Sequence, residues 1–480
     1  MPPDVSGFEQ FAILRALGDR LRTLGLNSES VGAVARIGGR TLDPLAGPMR
    51  RYHLRKRSDL LARAMRLFVF ADRVSVEEAS EVLGDVPFDR LLASGIVVRE
   101  AGDDIRSPFL LNCIGALYVL CDDLAHGDDA VMGVSNTTAD LCRAAGSSSV
   151  MERALDLGCG AGAAALTLAA RCETVVATDI NPRAIVFTRA NALLNGIENI
   201  DARVGDMFAP VAGETFDLIV SQPPFVPQPA GAAAATYLYG GRRGDELPLR
   251  LLRELPPHLA EGGRAIVLVD WPMVDGDPID LRVRKALGEH ALSVLILSAP
   301  PSDLDEWASS HAFLEERSVD ERFERRALLR RSHFDEMSIH ALRLTFNVIV
   351  ETAPPNVWTR SVEILPTSRA LVHGGHIDAL VATSSLLQAS DAELLAAQLR
   401  LTPGAELVER AGRVRVVFRD LLPPIELSRG AAMLATAASS APSVRHAIAE
   451  VSSRVGDGDM TAQMLAGVRQ ALALAVLQLA

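Results

Sequence analysis

Between about residues 150 and 352, apolar positions gather into short runs separated by amphipathic stretches. The strand-like runs are Arg153–Leu157, Thr174–Thr178, Asp217–Val220, Ala265–Val269, Leu292–Leu297 and Leu342–Val350. Helical spacing between the earlier runs predicts parallel strands joined by right-handed crossovers. The last two runs are separated by a charged stretch, Ser302 to Ile339, too long for a bare loop and expected to hold helices.

The flanks read differently. Up to residue 130 the pattern is mainly helical. Leu60, Leu61, Met65, Leu67 and Phe68 share one face, Ser75 before Val76-Glu77-Glu78 is a capping pattern, and a short helix opens after Val86-Pro87 and closes at Gly95. The β-rich runs Ile96–Val98 and Ile114–Leu120, with the turn-like Ala101–Asp104 between them, predict a hairpin. Beyond Pro354-Pro355 come helices over 377–387 and 391–399 and a hairpin of Glu406–Arg410 with Arg413–Phe418 turning at Ala411-Gly412. Helices follow over 430–438, 443–451 and 461–480. The expected architecture is a Rossmann-like α/β sheet domain (131–352) between two helix-rich, winged-helix-like domains (1–130 and 353–480).

Composition narrows this picture. With 480 residues, 49% hydrophobic and 5% aromatic, the chain suits several helix-rich α/β cores. A net charge of −12 disfavours nucleic acid and anionic membranes as general partners. The cluster Arg50, Arg51, Arg55, Lys56 and Arg57 is the best basic candidate, and a solvated helix end explains it equally simply. Five cysteines without a C-x-x-C pair read as reduced thiols of a cytoplasmic protein rather than a disulfide frame or zinc site. No signal peptide and no run of membrane-spanning length is expected. His373 and His376 lack a third ligand nearby, so no metal is expected.

Chemistry concentrates in four ordered elements. Asp156-Leu157-Gly158-Cys159-Gly160-Ala161-Gly162 leaves a strand and opens an alanine-rich helix. Its glycines allow a tight turn, close approach to a ligand and close helix–strand packing. Asp179, 23 positions after Asp156, ends the second strand, where an acid can accept ribose hydroxyls. Asn181 and Pro182 would then start the next helix. In Gly205-Asp206-Met207-Phe208, Asp206 could accept from an adenine amino group beside apolar contacts. Ser221-Gln222-Pro223-Pro224-Phe225 closes the fourth strand run. There an amide, a backbone carbonyl and an aromatic face suit a planar nitrogen nucleophile that needs only positioning.

The stretch from about Val131 to Glu351 resembles the class I "small-domain" methyltransferases, which include release-factor glutamine, ribosomal-RNA guanine and DNA adenine N-methyltransferases. Their strand-four signature is Asn (or Asp/Ser)-Pro-Pro-Tyr/Phe. The resemblance implies a seven-stranded sheet and S-adenosylmethionine as methyl donor, with S-adenosylhomocysteine as product. It implies donor binding by Gly158, Gly160 and Asp179, with Asp156 supporting the loop or approaching the methionine moiety and Asp206 facing adenine. Cys159, Gly162, Ile180, Met207 and Ser221 complete the donor set. Gln222 and the Pro223 carbonyl would orient the acceptor and Phe225 stack on it. Gln222 departs from the family's Asn by one methylene, which leaves the acceptor less defined than the donor.

Around this core, Asn136 and Thr137 are candidates for the substrate pocket, with a helix cap at Thr138 as the plainer alternative. The stretch Tyr237 to Glu246 would form a flexible rim in which Tyr237 and Arg242 meet substrate, and Trp271 could border the cleft. The leading expectation is N-methylation of a side-chain amide or nucleobase amine in a protein or nucleic acid. A small-molecule acceptor is the alternative, and a non-catalytic regulator binding a nucleotide-like ligand is more remote.

Overall fold

A computed structural model describes residues 3–9, 11–35, 46–123, 127, 129–146, 150–232, 237–316, 318–353, 356–364, 372–402, 405–410, 413–418, 425–427, 429–455, 461–473 and 476–480. Contacts divide the chain into two compact units. One comprises Met1–Cys142, Ser149–Gly288 and Pro301–Thr345; the other comprises Arg143–Ser148, Glu289–Pro300 and Phe346–Ala480.

The apolar runs become strands of one sheet. In chain order its elements are α1 (Asn136–Ala145), β1 (Met151–Leu157), α2 (Ala163–Ala169), β2 (Cys172–Asp179), α3 (Pro182–Leu194), β3 (Ile200–Val204), β4 (Phe216–Ser221) and α4 (Glu246–Glu254). They continue with β5 (Leu259–Met273), α5 (Ile279–Leu287), β6 (Leu292–Ser298), α6 (Leu304–Glu316), α7 (Glu321–Glu336), β7 (Ala341–Glu351) and β8 (Thr359–Glu363). The sheet has eight strands in the order β8-β6-β7-β5-β4-β1-β2-β3. That is one more than the seven expected: β8, beyond the proline pair, runs parallel to β6 from Val294 opposite Thr359. The charged stretch before β7 holds α6 and α7, as its length required. Val175–Ala177 and Leu218–Val220 are wholly buried, as strands covered on both faces must be.

Register sets the position of the site. Leu157 at the end of β1 lies beside Thr178 of β2 and Ser221 of β4, and Asp179 lies beside Val204 of β3. Four strands therefore end along one edge. The strand order reverses between β1 and β4, and α/β sheets open a crevice for ligands at such a point.

Within the first unit the N-terminal stretch is mainly helical, as read. Ser75 forms the anticipated capping box with Glu78, and Gly95 ends the helix Phe88–Ser94 with φ 77°. The hairpin differs. Val98–Arg99 pairs with Asp104–Arg106, not with the later run, and Phe109–Ile114 pairs with Leu117–Asp122 around Gly115 at φ 58°. The weaker turn at Gly115-Ala116 makes a second hairpin where one long one was expected.

In the second unit, helices Gly374–Leu387, Asp391–Ala396, Arg429–Ser440, Val444–Val455 and Thr461–Ala473 surround an alanine- and leucine-rich core. Ala405–Arg410 pairs with Arg413–Phe418 as read, and Ile425–Leu427 adds a third strand; the expected turn at 411–412 falls outside the described residues. The last helix does not run to residue 480. Leu477–Leu479 is a strand paired with Leu399–Leu401. The apolar run at the C-terminus satisfies either periodicity, and strand pairing wins.

Candidate functional site

The glycine loop is built by its neighbours. Gly158, Gly160 and Gly162 have φ of 74°, 53° and 81°, a region that L side chains rarely adopt. The Gly158 and Cys159 amides donate to the Thr178 carbonyl at 2.8 and 2.9 Å, folding the loop over the end of β2. At Gly162 a Cβ would lie 2.9 Å from Thr188 Oγ1 and 3.2 Å from its Cα, so α3 packs where a side chain would stand. At Gly158 a Cβ would meet nothing within 4 Å, and that open space belongs to a cavity.

Two buried acids frame the loop. Asp156 Oδ2 accepts from the Ala165 amide in the first turn of α2 at 2.8 Å, where a helix N-terminus favours negative charge. Burial nevertheless pushes its carboxyl up to about 7, and the charge of Asp179 adds to the effect. Asp179 accepts from the Gly160 amide at 2.9 Å through Oδ2 and from the Asn181 amide at 2.9 Å through Oδ1. Burial raises its pKa too, against those backbone donors. Asn181 caps α3 by accepting from the Arg183 amide, with Pro182 at the first helical position.

The cavity measures about 330 Å³ and lies wholly within the first unit. Its lining includes Asp156, Gly158, Cys159, Gly160, Asp179, Ile180, Asp206, Met207, Ser221, Gln222, Pro223 and Tyr237. Gly162 is not in the lining and serves the α2–α3 packing described above. Ile180 is 58% exposed, an unusual position for a large apolar side chain and one suited to a planar base. Met207 sits at φ 47°, and Asp206 pairs with Arg250 through both carboxylate oxygens. Phe208 does not join them. It is buried and stacks on His258 at 4.5 Å.

At the end of β4, Ser221 Oγ donates to the Leu157 carbonyl at 2.7 Å, tying the motif to β1. Phe225 lies outside the cavity lining and packs with the apolar cluster that includes Trp307 and Phe334. Thr137 is not in the lining but its hydroxyl accepts from Gln222 Nε2 at 2.9 Å. Asn136 is exposed and not in the cavity lining, and Ser135, not Thr138, caps α1, its Oγ accepting from the Thr138 amide at 3.1 Å. Trp271 is wholly buried, donating to Thr345 Oγ1 at 2.9 Å, so it borders no cleft. Arg242 pairs with Glu336 outside the cavity. The stretch after Tyr237 is fastened, not loose. The Val226 amide donates to the Leu238 carbonyl and the Gly240 amide to the Val226 carbonyl, both at 3.1 Å, while buried Asp245 pairs with Arg282 and Arg243.

Sequence reading missed Leu247 and Leu251 as cavity walls, where Val131–Gly133 also stand. It also missed what holds the loop at 131. Asp122 Oδ2 accepts from the Val131 amide at 2.9 Å and pairs with Arg183. The hairpin strand Leu117–Asp122 is gripped by Asn191 of α3 and by Asn195, which caps the C-terminus of that helix. Two asparagines four positions apart at the end of one helix were the available signal.

This donor set fits S-adenosylmethionine. Asp179 keeps lone pairs for the ribose hydroxyls, Asp206 and Ile180 offer a polar and an apolar face to a purine, and the open space at Gly158 admits the remainder. The fold and this site define an S-adenosylmethionine-dependent methyltransferase with a Rossmann-like α/β core. The family model "methyltransferase small domain" matches residues 139–239. A putative protein N5-glutamine methyltransferase of Methanocaldococcus jannaschii is 32% identical over 139 residues, 28% of this chain and 68% of that protein. The release factor glutamine methyltransferase of Aquifex aeolicus is 34% identical over 119 residues, 22% of this chain and 42% of that one. The ribosomal RNA small subunit methyltransferase C of Chromohalobacter salexigens is 35% identical over 119 residues, 25% of this chain and 32% of that one. The chain belongs to the methyltransferase small-domain family. It spans less than half the length of the two bacterial relatives.

Proposed function

We propose that this chain methylates a planar nitrogen, first of all a side-chain amide of a protein substrate, using S-adenosylmethionine. The observation that carries this reading is the placement of the Gln222 amide and Pro223 in the wall of the cavity that holds the glycine loop and Asp179. Bound there, S-adenosylmethionine supplies an electrophilic methyl group on a sulfonium. The chain's own part is orientation. Gln222 and the Pro223 carbonyl take the acceptor's N–H groups so that its lone pair points along the donor axis. As the new N–C bond forms, the C–S bond breaks and one proton leaves the nitrogen for solvent. Phe225 is drawn into the Trp307 cluster, so Tyr237 is the aromatic wall beside the acceptor.

Two of the cited relatives are named as glutamine methyltransferases and one as a ribosomal-RNA enzyme, which supports a protein or RNA acceptor. The charge of −12 favours protein over RNA. We keep the three-part division of the chain (1–130, 131–352 and 353–480) as a functional proposal. A winged-helix flank at the N-terminus is supported by short strands at 74–75, 98–99 and 104–106 around helices 76–83 and 88–94, in the sheet order first-third-second. All five cysteines are free thiols, which fits a cytoplasmic setting, and no helix among the described residues is long and apolar enough to cross a membrane.

The test is transfer of tritiated methyl groups from S-adenosylmethionine into a lysate fractionated into protein, RNA and small molecules. Label is expected in protein. Label confined to RNA or to small molecules would overturn the amide reading. Tight donor binding with label in no fraction would make the chain a regulator.

A further inference from the structure

The chain departs from its family's strand-four pattern at Gln222, whose amide stands one methylene further from the backbone than an asparagine's. That extra length reaches a specific set of partners. Gln222 Nε2 lies 2.9 Å from Thr137 Oγ1, and Thr138 Oγ1 lies 3.4 Å from Gln222 Oε1. Ser135 Oγ is 2.8 Å from Thr137 Oγ1 and 2.9 Å from Thr138 Oγ1. Three hydroxyls and one amide thus close a ring.

Proton counting gives the ring a direction. Nε2 can only donate, so Thr137 Oγ1 accepts from it and passes its own proton to Ser135. Ser135 donates to Thr138, and Thr138 donates to Oε1, which can only accept. Every hydroxyl proton is used once and in the same sense, an arrangement in which each bond polarises the next. With Nε2 on Thr137 and Oε1 near Thr138, the ring holds the amide at both ends and so sets its plane. It leaves one N–H and one carbonyl lone pair of Gln222 uncommitted. Ser135 is anchored in turn by accepting from the Thr138 amide at 3.1 Å, at the start of α1. Thr138 and Gln222 both line the cavity.

We infer that Thr137 is a positioning residue: with Ser135 and Thr138 it locks the Gln222 amide in the orientation that presents its free N–H and lone pair to the acceptor, so that glutamine is required at 222 in this chain. The inference rests on the proposed amide methylation and deepens it. An asparagine at 222 would fall more than 1 Å short of the ring, a displacement on the scale at which positioning in catalysis fails.

The experiment compares wild type with Thr137→Val, Thr137→Ser, Gln222→Asn and the Thr137→Val/Gln222→Asn double variant. It uses tritiated methyl transfer into the protein fraction, calorimetry with S-adenosylmethionine, and spectra of the glutamine side-chain NH₂ groups in ¹⁵N-glutamine-labelled full-length chain. Thr137→Val and Gln222→Asn should each lower kcat at least about tenfold, with donor KM and Kd within about twofold. Thr137→Ser should restore most of the rate, and the double variant should be little worse than either single one. The Gln222 NH₂ pair, identified by its disappearance in Gln222→Asn, should shift in Thr137→Val and not in Thr137→Ser. Wild-type rate in Gln222→Asn, or a Thr137→Val loss confined to donor affinity, would overturn the inference. If the wild type labels no fraction, the functional reading fails separately, and the NH₂ signal decides the ring: an unmoved pair in Thr137→Val refutes it.

Discussion

Asn191 offers the sharpest test of how the site is held. It is wholly buried in α3 and makes three hydrogen bonds through its side chain. Oδ1 accepts from the Leu120 amide at 2.8 Å, and Nδ2 donates to the Leu120 and Ala161 carbonyls, each at 2.9 Å. The amide therefore pairs with the hairpin as a neighbouring strand would, and ties Ala161 of the glycine loop to the same point. In Asn191→Ala all three backbone groups lose this partner away from water. Three such bonds are worth about 3 kcal/mol net, rising to about 5 where the orphaned groups bear a full desolvation penalty. That is a large share of the roughly 5–15 kcal/mol that holds a domain folded. Urea denaturation followed by tryptophan fluorescence and circular dichroism should show the loss, a midpoint lower by about 1 M if m is about 3 kcal/mol/M. Asn191→Asp keeps the acceptor for Leu120 but turns an oxygen toward two carbonyls, and should be at least as damaging. A loss under about 1 kcal/mol for Asn191→Ala, or a milder effect for Asn191→Asp, would show that the amide does not brace the loop in this way.

Two further outcomes follow from the donor site. With its carboxyl raised to about 7 by burial and by Asp179, Asp156 contributes stability that is fully present below its ordinary range near 4 and is lost as pH rises through about 7. The contribution is at most about 4 kcal/mol, so wild type should lose stability relative to Asp156→Asn between about pH 4 and 7 and level off above, and a constant difference in denaturation midpoint across that window would contradict the assignment. Gly158 and Gly162 separate strain from space. Gly162→Ala meets Thr188 as well as a left-handed backbone and should cost about 2–4 kcal/mol in unfolding. Gly158→Ala should cost only the backbone strain of about 1–2 kcal/mol while weakening S-adenosylmethionine binding in calorimetry, because its methyl enters the cavity. Equal stability losses from the two would remove the distinction.

The donor half of the site was legible because its chemistry is written locally. A glycine that must adopt positive φ, an acid at a strand tip and a proline after a capping asparagine each follow from a few consecutive residues, and Gly158, Asp179 and Asn181 stand where those rules put them. Parallel strands then bring the pieces together, since Leu157, Thr178 and Ser221 end side by side. What failed to show was set by distant contacts. The hairpin Phe109–Asp122 is held by Asn191 and Asn195, more than 70 positions away, and nothing within its own sequence outweighed the stronger turn signal at Ala101–Asp104. Phe225 and Trp271 looked like cleft residues because aromatics at strand ends often are. Alternation along a strand cannot say which apolar cluster a side chain will join, and the α6–α7 layer claimed Phe225. Gln222 is the most instructive case. Compared with its family it looks like a misfit, displaced by one methylene. Its amide finds Thr137, 85 positions earlier in the chain, and that partner converts the apparent misfit into a fitted length.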